Sequence, residues 1–202
     1  HHGDGAALSE LGARVLAVSS SPRRGGNSET MLDAAVEAAR AAGAEVEKVV
    51  LKDLGFAPCL NCGGCSKTGR CVLKDAYSRL NAKIRAADRL ILASPIYMAS
   101  MCAQMKCLVD RGQPFWAEKF LLRREPEPRE LERRALFLCC GGFRKGDKFL
   151  ANAEQIVKVY LLCLGFSYAG CVFEPGVDEK GAIREHAEAL ERCRQAGAAL
   201  AV

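Results

Sequence analysis

Within thirteen residues this chain places four thiols, in the run Cys59-Leu-Asn-Cys62-Gly-Gly-Cys65-Ser-Lys-Thr-Gly-Arg-Cys71. A thiolate is both a nucleophile and a soft metal ligand. The C-x2-C-x2-C-x5-C spacing lets three sulfurs wrap one face of a compact cube while the fourth closes the other side. That suits a [4Fe–4S] cluster, in which each iron takes one terminal thiolate. Gly63, Gly64 and Gly69 allow the turns that aim the side chains inward, and their amides can point at an anionic cluster. Other readings stay open. A four-cysteine zinc site usually pairs two C-x2-C knuckles across a longer gap, and the shared middle cysteine suits it poorly. A dithiol redox pair uses two cysteines and leaves two unexplained. Reduced thiols in a plain loop complete the set. Lys67, Arg70 and Lys74 beside the array would ease reduction of a cluster, or simply solvate the loop.

A second segment has phosphate chemistry. The run Ser19-Ser20-Ser21-Pro22-Arg23-Arg24-Gly25-Gly26-Asn27-Ser28 offers hydroxyls from Ser19, Ser20, Ser21 and Ser28 and guanidinium groups from Arg23 and Arg24. It leads into a helix whose free first-turn amides favour an anion. Gly25 and Gly26 let the backbone close round the group, and Asn27 is placed to be the N-cap. The loop is neither a Walker A sequence nor a G-x-G-x-x-G fingerprint. A structural turn with a capped helix is the plainer alternative.

The elements that must position these residues alternate. Apolar strands are expected at 13–19, 45–51, 88–94, 135–140 and 167–173. Helices are expected at 28–42, 75–86, 101–110, 147–164 and 181–200. Five apolar strands alternating with helices imply an α/β fold, a five-stranded parallel sheet doubly wound into three α/β/α layers. In such folds ligands sit outside the carboxyl ends of the strands, at the switch point, so the loops after strands one, three and four matter most. After strand three the chain reads Ser94-Pro95-Ile96-Tyr97-Met98-Ala99-Ser100. Pro95 is expected to stop the ladder, and Tyr97 with Met98 makes a flat apolar surface suited to a ring system. The stretch 113–134 breaks the rhythm with dense charge, Pro114, Pro126, Pro128 and the single Trp116. It reads as a solvated excursion, or as an arm that covers a cofactor or reaches another subunit.

The totals fit one domain over 13–202, preceded by 1–12 as a tag remnant and N-terminal arm. No run is apolar enough to span a membrane, no signal peptide is legible, and the protein is expected to be cytoplasmic. Eleven cysteines then speak for thiolate chemistry over a disulfide framework. The net charge of +5 is mild, and the basic residues are interleaved with acids, so nucleic acid is not an expected partner. A weaker implication is steering of an acidic electron carrier. His186 lies on an expected helix, Asp53 and Asp75 read as capping or solvated groups, and no side chain is expected to act as a catalytic acid or base.

The strand followed by Ser21-Pro22-Arg23 and Gly26-Asn27-Ser28, the 94–100 loop, and Ala103-Gln104-Met105-Lys106 with Asp110-Arg111 resemble the flavodoxin-like NAD(P)H-dependent FMN reductases. With the cysteine array between the two loops, the chain is similar to the iron–sulfur flavoprotein branch of that family. The resemblance runs from about residue 14 to 197. It implies that Ser19, Ser21, Arg23, Asn27 and Ser28 hold the FMN phosphate and that Pro95, Ile96, Tyr97, Met98 and Ala99 line the isoalloxazine. Gly141 and Gly142 would border the ring, and Cys59, Cys62, Cys65 and Cys71 would hold the cluster. Ser20 stands where the family often has glycine. The implied activity is electron transfer between a reduced carrier, ferredoxin or NAD(P)H, and an acceptor. Alternatives are an NAD(P)H-dependent FMN or quinone reductase with structural or unmetallated cysteines, and a non-enzymatic flavin- or metal-dependent sensing module. The family implies a homodimer or homotetramer.

Overall fold

A computed structural model describes residues 12–145 and 147–202. The expected tag remnant and arm therefore lie, but for residue 12, outside the described residues. The strands are β1 (Arg14–Ser19), β2 (Glu45–Val50), β3 (Arg89–Tyr97), β4 (Ser100–Met101), β5 (Arg134–Gly141) and β6 (Ser167–Pro175). The helices are α1 (Asn27–Ala41), α2 (Gly64–Thr68), α3 (Tyr77–Ala86), α4 (Ala103–Asp110), α5 (Gln113–Trp116), α6 (Asp147–Leu164) and α7 (Ala187–Ala201). The main sheet is parallel in the order β2-β1-β3-β5-β6, and β4 turns back antiparallel on the end of β3. This is the flavodoxin-like arrangement, with the order reversing between β1 and β3.

Period-two alternation divides the strands between two cores. Leu16, Val18, Leu90, Leu92 and Phe137 face the layer of α3, α4 and α6. Val15, Ala17, Ile91, Ala93 and Leu138 face α1 and α7. The second layer is thin because its contacts are small. A methyl group built on Gly197 of α7 would come within 2.2 Å of the Ala35 carbonyl oxygen of α1, so the two helices touch backbone to backbone.

Several boundaries differ from the sequence reading for physical reasons. β3 does not stop at Pro95 but runs on to Tyr97. β1 ends at the Ser19–Ala93 pair, so Pro95 has only β5 as a ladder neighbour, and its missing N–H leaves no bond unmade on the β1 side. The turn instead falls at Met98 and Ala99, at φ 46° and 64°, between the paired Tyr97 and Ser100. Two successive left-handed residues are what a two-residue hairpin demands, and neither is glycine. The excursion is half helical. α5 starts with Pro114 in its first turn, where a proline costs no hydrogen bond, and continues as a π-helical turn over Ala117–Leu121. The last helix is broken into a 3₁₀ turn (Ala182–Glu185) and α7, where His186 leaves helical geometry and its Nδ1 meets Glu174 Oε1 at 2.8 Å. Among the described residues no helix is long and apolar enough to cross a membrane.

Candidate functional site

The reversal of strand order opens a cleft of about 540 Å³ at the carboxyl ends of β1, β3, β5 and β6. Ser21, Arg23, Asn27 and Ser28 line one end, Pro95, Ile96, Tyr97 and Met98 a second wall, and Gly141 and Gly142 a third. Ten of the twelve residues expected to bind a cofactor line this opening, and two do not reach its wall. Ser19 is fully buried inside the ladder, with its Oγ unpartnered, and Ala99 sits at the hairpin tip behind Met98.

The phosphate end is built on the first turn of α1. Gly26, not Asn27, is the N-cap, in extended geometry at φ −73° and ψ 172°. Asn27 is spent elsewhere. Its Nδ2 donates to the Glu179 carbonyl at 2.8 Å, and its Oδ1 accepts from the Gly181 and Ile183 amides at 2.9 and 3.3 Å. The side chain thus ties the loop after β6 to the helix start. Ser21 Oγ accepts from the Arg23 amide and donates to the Arg23 carbonyl, both at 3.1 Å, which closes a tight turn. Arg23 donates to the Asp178 carbonyl at 3.3 Å, while Arg24 turns away to an ion pair with Asp53. Ser20 also points away, donating to the Ala93 carbonyl at 2.8 Å.

Two observations test whether FMN suits this cleft. Ser28 Oγ lies on the cleft wall, is buried, and has no hydrogen-bond partner among the described residues. A buried hydroxyl without a partner is costly, and a phosphate oxygen would satisfy it. A methyl group at Gly26 would come within 3.0 Å of Ser21 Oγ and the Arg23 carbonyl, so the turn keeps its space open only with glycine. At the ring end, methyl groups on Gly141 and Gly142 would meet Ile96 and Asp178 at 3.2 Å. Tyr97 is 39% exposed and Met98 96%, an apolar edge of the opening. The residues fit a flavin nucleotide.

Residues that the sequence reading missed come from the loops after the last two strands: Phe143, Val177 and Asp178. Their signal was positional only, since Gly176-Val177-Asp178 follows the carboxyl end of β6 with no donor pattern to mark it. Glu29 was also missed. It accepts the Gly25 amide at 2.8 Å and is buried beneath the phosphate loop, where Lys48 at 2.9 Å balances its charge.

The cysteine segment leaves β2 through a 3₁₀ turn (Leu51–Asp53) and lies against the α4–α5 junction. Gly63 and Gly69, at φ 71° and 72°, bracket the single helical turn α2 that carries Cys65. Asn61 also takes left-handed geometry, while Gly64 is needed for room: a methyl there would stand 2.5 Å from Val72. Cys59, Cys62, Cys65 and Cys71 all line one pocket of about 50 Å³ together with Arg111. Burial pushes the Cys65 thiol above its ordinary range, and the charges of Cys59, Cys71 and Cys62 add to the rise. Among the described residues no group of three His, Cys, Asp or Glu side chains is gathered closely enough to hold a metal ion. In a four-iron cluster each thiolate meets a different iron, so the sulfurs surround a larger body than one ion. The donor set fits such a cluster in kind, with four soft thiols and one buried guanidinium in a shared recess. The first half of the excursion packs on this segment, where Arg124 donates to the Thr68 carbonyl at 2.9 Å.

A parallel sheet of this order, with an anion-ready first helix and a flat cleft at the switch point, defines a flavodoxin-like nucleotide-binding protein. The family described as NADPH-dependent FMN reductase matches residues 13–163, and the chain belongs to that family. An iron–sulfur flavoprotein of Methanosarcina thermophila is 37% identical over 110 residues, covering 54% of this chain and 58% of the relative. Another, of Archaeoglobus fulgidus, is 38% identical over 102 residues, covering 50% and 46%. The chain thus spans about half the length of the curated relatives it matches. Among solved structures, a NAD(P)H:quinone oxidoreductase from Methanothermobacter marburgensis superposes with a TM-score of 0.73 at 22% identity, over 93% of this chain and 96% of that one. A flavone reductase gives 0.69 at 20% identity, over 93% and 62%. These two likenesses show the shared fold.

Proposed function

We propose that this chain is an iron–sulfur flavoprotein that moves electrons between a reduced carrier and an acceptor. The observation that supports it best is that all four array cysteines line one recess in a chain that also carries a cleft suited to FMN. When bound, the flavin would exchange electrons in pairs or singly and the [4Fe–4S] cluster one at a time. Ser21, Arg23 and Ser28 would hold the phosphate, with Asn27 bracing the loop beside it. Pro95, Ile96, Tyr97 and Met98 would seat the ring, and Gly141 and Gly142 would leave it space. Cys59, Cys62, Cys65 and Cys71 would ligate the irons. No side chain is assigned a proton-transfer role. The exposed Lys67, Arg70, Arg123 and Arg124 around the cysteine segment suit an acidic one-electron carrier such as a ferredoxin. A homodimer or homotetramer is supported by the exposed Trp116, Phe120, Val159 and Leu162 on α5, the π-helical turn and α6.

Anaerobic purification with iron, sulfide and flavin quantitation, followed by EPR of the dithionite-reduced protein, tests the proposal. The expected result is one FMN and four irons per chain. Oxygen-protected, reconstituted protein without yellow or brown absorbance would sink it. A second reading, a NADPH-dependent reductase with unmetallated cysteines, rests on the description of the family. Bleaching of the flavin by NADPH alone, in protein that takes up no iron, would select it. Sedimentation as a monomer at full flavin occupancy would remove the oligomer.

A further inference from the structure

Arg111 follows the last residue of α4 and is only 1% exposed. A buried guanidinium must find partners, and every polar partner of this one belongs to the cysteine segment. Nη1 donates to the Ala57 carbonyl and to Asp75 Oδ2, each at 2.7 Å. Nη2 donates to Asp75 Oδ1 at 2.9 Å and to Cys71 Sγ at 3.5 Å. Nε has no partner among the described residues. The plane lies over the Tyr77 ring, 4.4 Å from its centroid. Asp75 in turn accepts the amides of Ala57 and Tyr77, each at 3.1 Å. Ala57 precedes the first cysteine of the array and Asp75 follows the last, so all four cysteines lie on a segment whose two ends are drawn to one side chain. That side chain is itself fixed, since α4 buries Met105 and Leu108 in the main core.

We propose that Arg111 is the positioning residue of the cysteine segment: with Asp75 it draws 57–77 into a closed loop and presents a permanent positive charge to the Cys71 sulfur. The proposal rests on the cluster reading above and deepens it. Lys67, Arg70 and Lys74 are exposed, and solvent and salt screen them. Arg111 is buried and donates directly to a sulfur, so its hydrogen bond, and the part of its charge that Asp75 leaves, act there with little solvent screening. Hydrogen bonds and charge at cluster sulfurs set the reduction potential. Arg111, more than the exposed lysines and arginines, is therefore placed to raise it.

The experiment uses the full chain loaded with FMN, as wild type, Arg111→Lys, Arg111→Met and Asp75→Asn. Hydrogen exchange is measured first without iron. The amides of 57–77 should exchange about tenfold faster or more in Arg111→Met and Asp75→Asn, while those of β3 and β5 keep their protection and FMN content is unchanged. Reconstitution with iron and sulfide follows. Apparent iron affinity should fall roughly 10-fold or more in Arg111→Met, as for a lost group beyond the ligands, and recover partly in Arg111→Lys. The cluster midpoint, from a mediated titration read by EPR, should be lowest in whichever variant lacks the positive charge. Unchanged exchange in both Arg111→Met and Asp75→Asn overturns the positioning role. A midpoint that stays at the wild-type value in Arg111→Met overturns the electrostatic role. Should Arg111→Met fail to fold, Asp75→Asn and Arg111→Lys decide in its place. Should wild type hold no iron, the function proposed above fails, while the exchange comparison still decides whether Arg111 closes the loop.

Discussion

The phosphate loop and the cysteine loop both hang from carboxyl ends of the same sheet, and they are braced in opposite ways. The phosphate loop is short and lies at the centre, between β1 and α1. Its bracing comes from chain far away in sequence, through Asn27 to 179–183 and Arg23 to Asp178. The cysteine loop is long and follows the edge strand β2. It is braced by one buried arginine that touches both of its ends. A site at the switch point inherits rigidity from every strand around it. A site beyond an edge strand must bring its own clamp, and losing that clamp should free the whole loop.

The contrast is sharpest in a pair of substitutions that should separate the two sites. Cys62→Ala removes an exposed thiol and should abolish iron binding while leaving FMN content intact, read by metal and flavin quantitation on one sample. If flavin is lost as well, the two sites are not independent. Ser28→Ala should do the reverse, weakening FMN by about 1–3 kcal/mol for a lost hydrogen bond to a charged group. Because that hydroxyl has no partner among the described residues, the flavin-free protein should be at least as stable as wild type in urea. Loss of stability equal to the loss of affinity would contradict the role given to Ser28.

A smaller effect distinguishes the clamp by pH. The Arg111 guanidinium beside Asp75 holds its carboxyl below the ordinary value of 3.8. A depressed folded-state value means that the contribution is whole above the ordinary value and is lost as pH falls through the folded one. The melting temperature of wild type should therefore exceed that of Asp75→Asn at neutral pH, and the two should converge in strong acid. A constant gap across that range would show that Asp75 acts without its charge. The smallest effect is at the flavin hairpin. Ala99→Gly should stabilise the protein by about 1 kcal/mol, because glycine meets no Cβ penalty at φ 64°. No change in urea midpoint would mean that the turn is not strained.

How much of this was legible in sequence follows from the kind of contact involved. Strand alternation and helix periodicity are local, so the parallel sheet and α6 to the residue were readable. The two candidate loops could be picked out from Ser21-Pro22-Arg23, from 94–100 and from the cysteine spacing. The errors arose where a side chain's partner lies far along the chain. Asn27 looked like a cap, but the loop after β6 takes its amide. Pro95 looked like a strand end, and only the early end of β1 explains why it is not. Ser19 looked like a donor, yet the ladder on both sides of it seals it in. Arg111 was noticed in a motif, but nothing local told that it would be buried beneath Cys71. Pro114 was counted in an irregular excursion, although a proline in a first turn can begin a helix.

The contact between Gly197 and the Ala35 carbonyl has a consequence at a distance. With no room for even one added carbon, the terminal helix acts as a spacer that dictates how closely its neighbour lies on the strands. Any larger residue at 197 would push on α1 and on the Ser28 hydroxyl that lines the cleft. The spacing of that wall is thus gauged from a helix that contributes nothing to it.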